Sequence, residues 1–492
     1  MLPFIQLDYD KDSAVPLYRQ IYAAIRRAIL AGEFAASARL PATRLLAEQL
    51  GVARMTIVNA YEQLLAEGYI EGKTGSGTYV ASTLPEDLLR VREERGSRRK
   101  ESGNPRKPSL SQRGKWLAST SVSTLRVEAD GGQYAFHNGM PAVDEFPFRL
   151  WSQLAVRRLR TPPRELLSYG DPAGFLPLRE SIAAHLKAAR AVQCDVDQVI
   201  IVAGAQQAFD LIARVLLNPG DTAWFEDPCY PGARNAFLSS GAKVIHIPVN
   251  DEGFDLPSAI KRYKRARLVY VTPSHQFPLG VTMSLSRRLA LLEWAKHSNA
   301  FIIEDDYNSE YRYAGRPLAS LQGLDRDGRV IYIGTFSKTI FPGLRLGCMV
   351  VPKDLAATFI ATRALVDRHS PSFDQAILSD FINEGHFARH IRRMRALYKE
   401  RQKLLVAAVE RELKGLIEVA PAEAGMHLVG WLPKKVNDKE ASAKAARYGI
   451  EASPLSAYSA NPLSRGALVL GYTAVNSKQI RDGVKRLAQA LW

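Results

Sequence analysis

From about residue 133 onward the chain alternates short apolar runs with helical patterns: VIIVAG followed by QQAFDLIARVLL, then TAWFED, KVIHIPV, RLVYVTP, AFIIEDD and VIYIGTF. This alternation constrains the fold more than any other feature. Short buried strands joined by helices predict a mainly parallel sheet covered by helices on both faces, an α/β architecture. Ligands of such sheets gather at the carboxyl ends of the strands. The residues that follow each run are therefore the candidates for chemistry.

Those residues form a coherent set. Gly204, Ala205 and Gln206 follow VIIVA and open a helix, whose free N–H groups suit a phosphate. Asp305 and then Tyr307 follow AFIIE, and Thr335, Ser337 and Lys338 follow VIYIG, with Arg345 shortly after in PGLRLG. A phosphate seat, a buried carboxylate and a strand-end lysine flanked by hydroxyls are what a pyridoxal phosphate site needs. The amine bonds the cofactor, and the carboxylate keeps the pyridine nitrogen protonated so that the ring acts as an electron sink. Taken singly, a lysine is ordinarily surface and Asp305 could cap a helix; their order gives them meaning.

The first 82 residues read differently. Leu17, Ile21, Ile25 and Ile29 recur at four-residue spacing, one apolar face of a helix ending near Gly32. Two further helices are predicted over ATRLLAEQLG and ARMTIVNAYEQLLAEGY, separated by a Gly-Val turn, and YIEGKTGSGTYV reads as a glycine-rich hairpin. This order resembles the winged helix-turn-helix of the GntR superfamily, including the entry Leu40-Pro41-Ala42-Thr43-Arg44. The resemblance implies that the third helix enters the major groove, with Arg54 and Thr56 at its start and Asn59 a turn further on. Arg54 is then the candidate for a bidentate guanine contact and Arg44 for a phosphate or base edge, while Lys73, Thr74, Ser76 and Thr78 furnish the wing. Ala53, where the family commonly has a small hydroxyl residue, supplies no capping oxygen. The competing reading is a peripheral three-helix domain with solvated arginines.

Charge bears on that choice. The chain carries 66 Lys+Arg against 50 Asp+Glu, a formal net charge of +16, which ordinarily points to a polyanionic partner. Residues 1–82, however, hold eight cations and eight acids, whereas residues 83–115 hold ten cations against five acids and are rich in Ser, Gly and Pro. The predicted organisation is a DNA-binding domain over 1–82, a flexible basic linker over 83–125 and an effector domain with a smaller C-terminal lobe over 126–492. The linker could add sequence-independent phosphate affinity or simply be solvated. No apolar run approaches the ~18 residues of a membrane span. The acidic start MLPFIQLDYDKD is unlike a secretory signal, and three cysteines are too few for a disulfide framework or a metal knuckle. A cytoplasmic, metal-free protein is predicted.

The second segment resembles fold-type I aminotransferases, and with a GntR-like head in front the chain resembles the MocR/GabR family of pyridoxal-phosphate-dependent transcriptional regulators over nearly its full length. Within SKTIFPGLRLG the resemblance implies Lys338 as the Schiff-base lysine, Arg345 as a phosphate ligand and Thr335 and Ser337 as further phosphate contacts. Asp305 would pair with the pyridine nitrogen, Tyr307 would reach the ring hydroxyl, and Tyr230 in EDPCYPGAR would stack on the ring. Tyr169 in YGDPAG matches a tyrosine that reaches the neighbouring subunit's phosphate, which implies a homodimer with composite sites. Where aminotransferases have Asn-Pro-x-Gly this chain has Phe277-Pro278-Leu279-Gly280, so that His275 or Gln276 would replace the asparagine. Arg465 is the candidate for an effector carboxylate, with a surface arginine as the alternative. The resemblance implies a regulator in which an amine or amino-acid effector exchanges onto the Lys338 imine and repositions DNA-binding heads on paired half-sites of double-stranded DNA. A linker of this length also allows the heads to be swapped over the partner's large domain. The rival reading is a working aminotransferase with an accessory DNA-binding head.

Overall fold

A computed structural model describes residue 10 and residues 13–73, 75–85, 109–119, 135–315 and 318–492. The chain divides into two compact units, Met1–Lys107 and Pro108–Trp492. Most of the expected linker, and Thr74 in the wing, lie outside the described residues.

In the first unit, α1 (Leu17–Leu30), α2 (Thr43–Leu50) and α3 (Arg54–Ala66) precede an antiparallel hairpin of β1 (Ile70–Lys73) and β2 (Gly77–Val80). The core follows the sequence spacing, because Ile21, Ile25 and Ile29 pack with Leu46, Ile57, Leu64 and Val80. Gly51 ends α2 in the left-handed region, at φ 59°, and so makes the turn between the two helices.

The second unit holds an eight-stranded sheet. Its strands are β3 (Val199–Val202), β4 (Thr222–Asp227), β5 (Lys243–Asn250), β6 (Gly253–Phe254), β7 (Leu268–Val271), β8 (Phe301–Asp306), β9 (Val330–Thr335) and β10 (Gly347–Val350). Their order is β3-β10-β9-β8-β7-β4-β5-β6. Strands β5, β4, β7, β8 and β9 are parallel; β10 runs antiparallel to both β3 and β9, and β6 to β5. Side chains alternate between the faces, as the pleat requires. Ile200, Tyr270, Ile303 and Ile333 meet helix residues such as Phe209, Ile212 and Phe359 on one face. On the other face, Ile201 and Tyr332 meet Leu178 and Leu378, while Val269 and Ile302 meet Leu291 and Ala295.

A smaller antiparallel sheet completes the unit, in the order β11 (Glu418–Val419), β12 (His427–Trp431), β14 (Ala467–Gly471), β13 (Ser453–Pro454). One carboxylate ties this lobe to the large sheet: Asp227, ending β4, accepts hydrogen bonds from Ser459, Ala460 and Asn461. Within the stretch expected to be linker, Gln112–Ser119 is helical, and Trp116 lies against Gly241. The low apolar content of that stretch hid the one tryptophan that seats it. Among the described residues no helix is long and apolar enough to cross a membrane.

Candidate functional site

On α3 the polar candidates lie outside the buried stripe. Ile57, Ala60, Tyr61 and Leu64 are buried, while Arg54 and Asn59 are exposed and Thr56 is half-buried. Tyr61 donates to the Pro41 carbonyl at 2.9 Å, which fixes α3 against the entry to α2. No side chain caps α3, as Ala53 implies. Arg44 is exposed and pairs with Glu48 at 3.4 Å, one helical turn on. In the wing the Lys73 ammonium lies 5.0 Å from the Tyr79 ring centroid, and Ser76 Oγ is 2.7 Å from the Tyr79 hydroxyl. The sequence reading missed Arg39, an exposed cation bridged to Tyr79 whose guanidinium lies beside Gly77. Its position just ahead of Leu40-Pro41 was the available signal.

The second unit gathers its candidates at the carboxyl ends of the parallel strands. β10 begins at Gly347, opposite both Thr335 of β9 and Val202 of β3, and so carries Arg345 to Gly204, where its guanidinium donates to the Ala203 carbonyl at 2.8 Å. Gly204 has φ 83°, a left-handed conformation that strains any residue with a Cβ, and a Cβ there would press on that guanidinium at 3.1 Å. The helix Ala205–Leu216 opens at Gly204 with no side-chain cap, and Gln206 donates to the Gly232 carbonyl. Thr335 Oγ1 accepts the Ser337 amide at 3.2 Å, and Ser337 is buried.

Lys338 and Asp305 complete this cluster. The half-buried Lys338 donates through Nζ to the Gly139 carbonyl at 2.7 Å, and burial pulls its amine down to about 8, against the opposing pull of the Asp305 charge. Asp305 ends the face of β8 that carries Ile303. Its Oδ2 accepts the Tyr270 hydroxyl at 2.7 Å, whereas its buried Oδ1 has no hydrogen-bond partner among the described residues. Burial pushes the carboxyl up to about 7, with the Tyr270 hydrogen bond opposing. Tyr307 and His275 share one hydrogen bond, hydroxyl to Nδ1, at 2.9 Å. The His275 ring stacks edge-on to His427 at 5.6 Å, and burial lowers the two imidazoles to about 3 and about 4, so both rings are neutral near pH 7. Tyr230 packs edge-on to Phe277, with centroids 5.9 Å apart.

Three candidates sit differently. Gln276 spends its amide on the Pro228 and Phe277 carbonyls and the Leu279 N–H, which leaves His275 as the polar side chain of that turn beside Tyr307. Tyr169 is 79% exposed, covered on one face by the Arg368 guanidinium at 4.7 Å, in a hollow also lined by Asp171, His369 and Gln375. Arg465 has partners within its own lobe: its guanidinium pairs with Glu418 at 2.7 Å and donates to the Leu432 and Trp431 carbonyls at the strand ends. Sequence reading missed Tyr270 and Gly139, since a tyrosine inside an apolar run reads as core and a backbone carbonyl has no sequence signature.

Residues 17–80 match the family described as bacterial regulatory proteins, gntR family, and residues 149–487 match aminotransferase class I and II. The probable rhizopine catabolism regulatory protein MocR of Rhizobium meliloti is 43% identical over 98% of this chain and 95% of its own length. The chain belongs to the MocR/GabR family. As a MocR/GabR-type protein it joins a GntR helix-turn-helix region to a fold-type I aminotransferase domain in one transcriptional regulator. That domain is similar to kynurenine aminotransferase of Pyrococcus horikoshii, solved with PMP, at 30% identity and TM-score 0.68 over 82% of this chain and 98% of that one. LysN, the α-aminoadipate aminotransferase of Thermus thermophilus, is also 30% identical, with TM-score 0.70 over 77% of this chain and 96% of its own. MocR/GabR membership implies DNA as a partner and pyridoxal phosphate as the cofactor of the aminotransferase-like domain.

Proposed function

We propose that this regulator holds pyridoxal phosphate at Lys338 and changes its grip on DNA when an amine or amino acid takes the place of that lysine. The observation that carries the reading is Asp305: a buried carboxylate that uses one oxygen on Tyr270 and keeps the other free, in the same site as a half-buried lysine amine. A pyridinium N–H is the donor such an oxygen lacks. The phosphate has a matching seat in the first turn of Ala205–Leu216, Arg345, Thr335 and Ser337, with Gly204 giving the room. His275 and Tyr307 would hold the ring hydroxyl, and Tyr230 and Phe277 would cover the ring and exclude water.

When bound, the cofactor supplies an electrophilic carbon and an electron-withdrawing ring. The protein supplies the rest. Lys338 Nζ, steered by the Gly139 carbonyl, would be the resident amine, and Asp305 Oδ1 would accept a hydrogen bond from the ring N–H and so keep the proton on the ring nitrogen. Displacement of Lys338 by an effector moves the DNA-binding heads only to the extent that its free energy differs between two arrangements of the protein. We propose a homodimer with heads swapped or unswapped across the linker that precedes the seated helix Gln112–Ser119. The exposed apolar side chains of Leu167 (65%), Tyr169 (79%) and Leu365 (88%) support a subunit contact there, with Tyr169 reaching the partner's phosphate seat. Such a dimer reads paired half-sites.

The test is a titration of loaded protein with a panel of amines and amino acids, following the visible absorbance of the cofactor and operator affinity together. A ligand that moves both supports the reading. Multiple-turnover ketoacid production at rates typical of metabolic enzymes would instead favour the rival, an aminotransferase with an accessory head.

On the DNA side, Arg54→Ala is expected to weaken operator binding by roughly 5–150-fold, the equivalent of ~1–3 kcal/mol for a bidentate base contact. Mobility-shift assays with operator and scrambled duplexes check this, since loss of a base contact weakens the operator far more than the scrambled sequence. Equal weakening on both would make Arg54 a phosphate contact.

A further inference from the structure

The cationic surplus of this chain does not reside in the reading head, and part of it forms one cluster on the effector unit. Residues 261–267, KRYKRAR, hold Lys261, Arg262, Lys264, Arg265 and Arg267, all exposed, without an acid among them. The exposed Lys243 joins them: it opens β5 opposite Thr222 of β4, and the Thr222 carbonyl accepts the Arg267 amide at 2.8 Å. Among the described residues none of the six is ion-paired, although neighbouring cations such as Arg287 and Lys296 are.

Local roles account for only part of the cluster. Lys261 and Arg262 lie in the last turn of the helix Leu256–Arg262, where cations favour the dipole. Arg267 donates to the Leu216 carbonyl at 3.2 Å and covers the Phe301 ring. Lys243, Lys264 and Arg265 have no such partner among the described residues. Together the cations follow the edge of the sheet at which β4, β5 and β7 begin. Asp227, Tyr230 and His275 follow the opposite ends of these strands, so a polyanion at this edge leaves the cofactor pocket open.

We propose that this amino-terminal edge of the effector unit's sheet is a second, sequence-independent seat for the phosphate backbone of duplex DNA. The inference rests on the DNA-binding reading above. DNA is the favoured polyanion because the same chain carries a duplex-reading head, which raises the local concentration of flanking duplex at this surface. Each phosphate neutralised releases condensed counterions and steepens the salt dependence of binding by ~0.9 in log–log slope.

The test uses full-length, cofactor-loaded protein and a fluorescein-labelled random-sequence duplex of about 60 base pairs, with anisotropy followed from ~50 to ~300 mM salt, since non-specific binding is phosphate-dominated. The variant Lys261→Gln/Arg262→Gln/Lys264→Gln/Arg265→Gln is expected to lose roughly 2–4 units of slope and at least about tenfold in affinity at ~100 mM salt. Lys264→Gln/Arg265→Gln, whose changes lie outside the helix, keeps the test valid if the quadruple variant folds poorly, and is expected to lose about half the slope change. Unchanged slope and affinity on the long duplex overturns the proposal. So does a variant that loses binding only to phosphatidylserine vesicles. If the parent protein binds no duplex at all, the DNA-binding reading itself has failed, which is a distinct result.

Discussion

Lys338→Ala is expected to strip the visible absorbance of the bound cofactor to baseline and to abolish the response of DNA binding to effector, while DNA binding by the unliganded protein persists. The amine is the only covalent hold in the proposed site, and the head that touches DNA has its own core of Ile21, Ile25, Leu46, Ile57 and Leu64. Spectra and mobility shifts on one preparation separate the two effects. Retained effector response in the alanine variant would exclude Lys338 as the sensing group. The intact lysine makes a second, pH-dependent expectation. Burial lowers its amine to about 8, and only the neutral amine attacks a carbonyl. Capture of added pyridoxal phosphate by cofactor-free protein is therefore expected to accelerate about tenfold per unit as pH rises and to level off above about 8. An ordinary lysine would carry the rise on to about pH 10. Stopped-flow absorbance between those limits distinguishes the two.

Asp305→Asn is expected to weaken cofactor binding by roughly 10–150-fold, the equivalent of ~1.5–3 kcal/mol for a hydrogen bond to a charged group. The unloaded protein should behave in the opposite sense. The carboxyl is pushed up to about 7 by burial, so at pH 8 the folded, unloaded chain holds a buried anion that the unfolded chain would solvate. That penalty is full above about pH 7 and is relieved progressively as pH falls from there towards the ordinary aspartate range near 4, or at once by the neutral asparagine. Thermal melts of the unloaded variant at pH 8 should lie at or above those of the parent, and the ordering should reverse once cofactor is added. A residue that merely held β8 in place would lower both melts.

Much of the candidate site was legible in the sequence because strand-end chemistry is local. VIIVAGAQ, AFIIEDDY and VIYIGTFSK each carry their candidate residues within a few positions of an apolar run, and parallel topology collects such ends without further instruction. The groups that hold those residues in place were not legible in this way. Tyr270 lies within a fully buried strand, and only the register of β7 beside β8 brings its hydroxyl to Asp305. Gly139 lies 199 residues before Lys338, and its contribution is a carbonyl that any residue possesses. Arg465 shows the same dependence, since its partner Glu418 lies 47 residues away in the chain.

By itself, then, the sequence determined the two-part architecture, the strand-helix order and the identity of the groups at the strand ends, because hydrophobic period and motif spacing act over a few residues. Tertiary structure decided which polar atoms are left free. Whether Asp305 keeps an oxygen for a ligand, Gln276 is consumed by its own turn or Lys338 sheds its proton near neutrality depends on burial and on partners far away in the chain, and those are fixed only when the strands are in register.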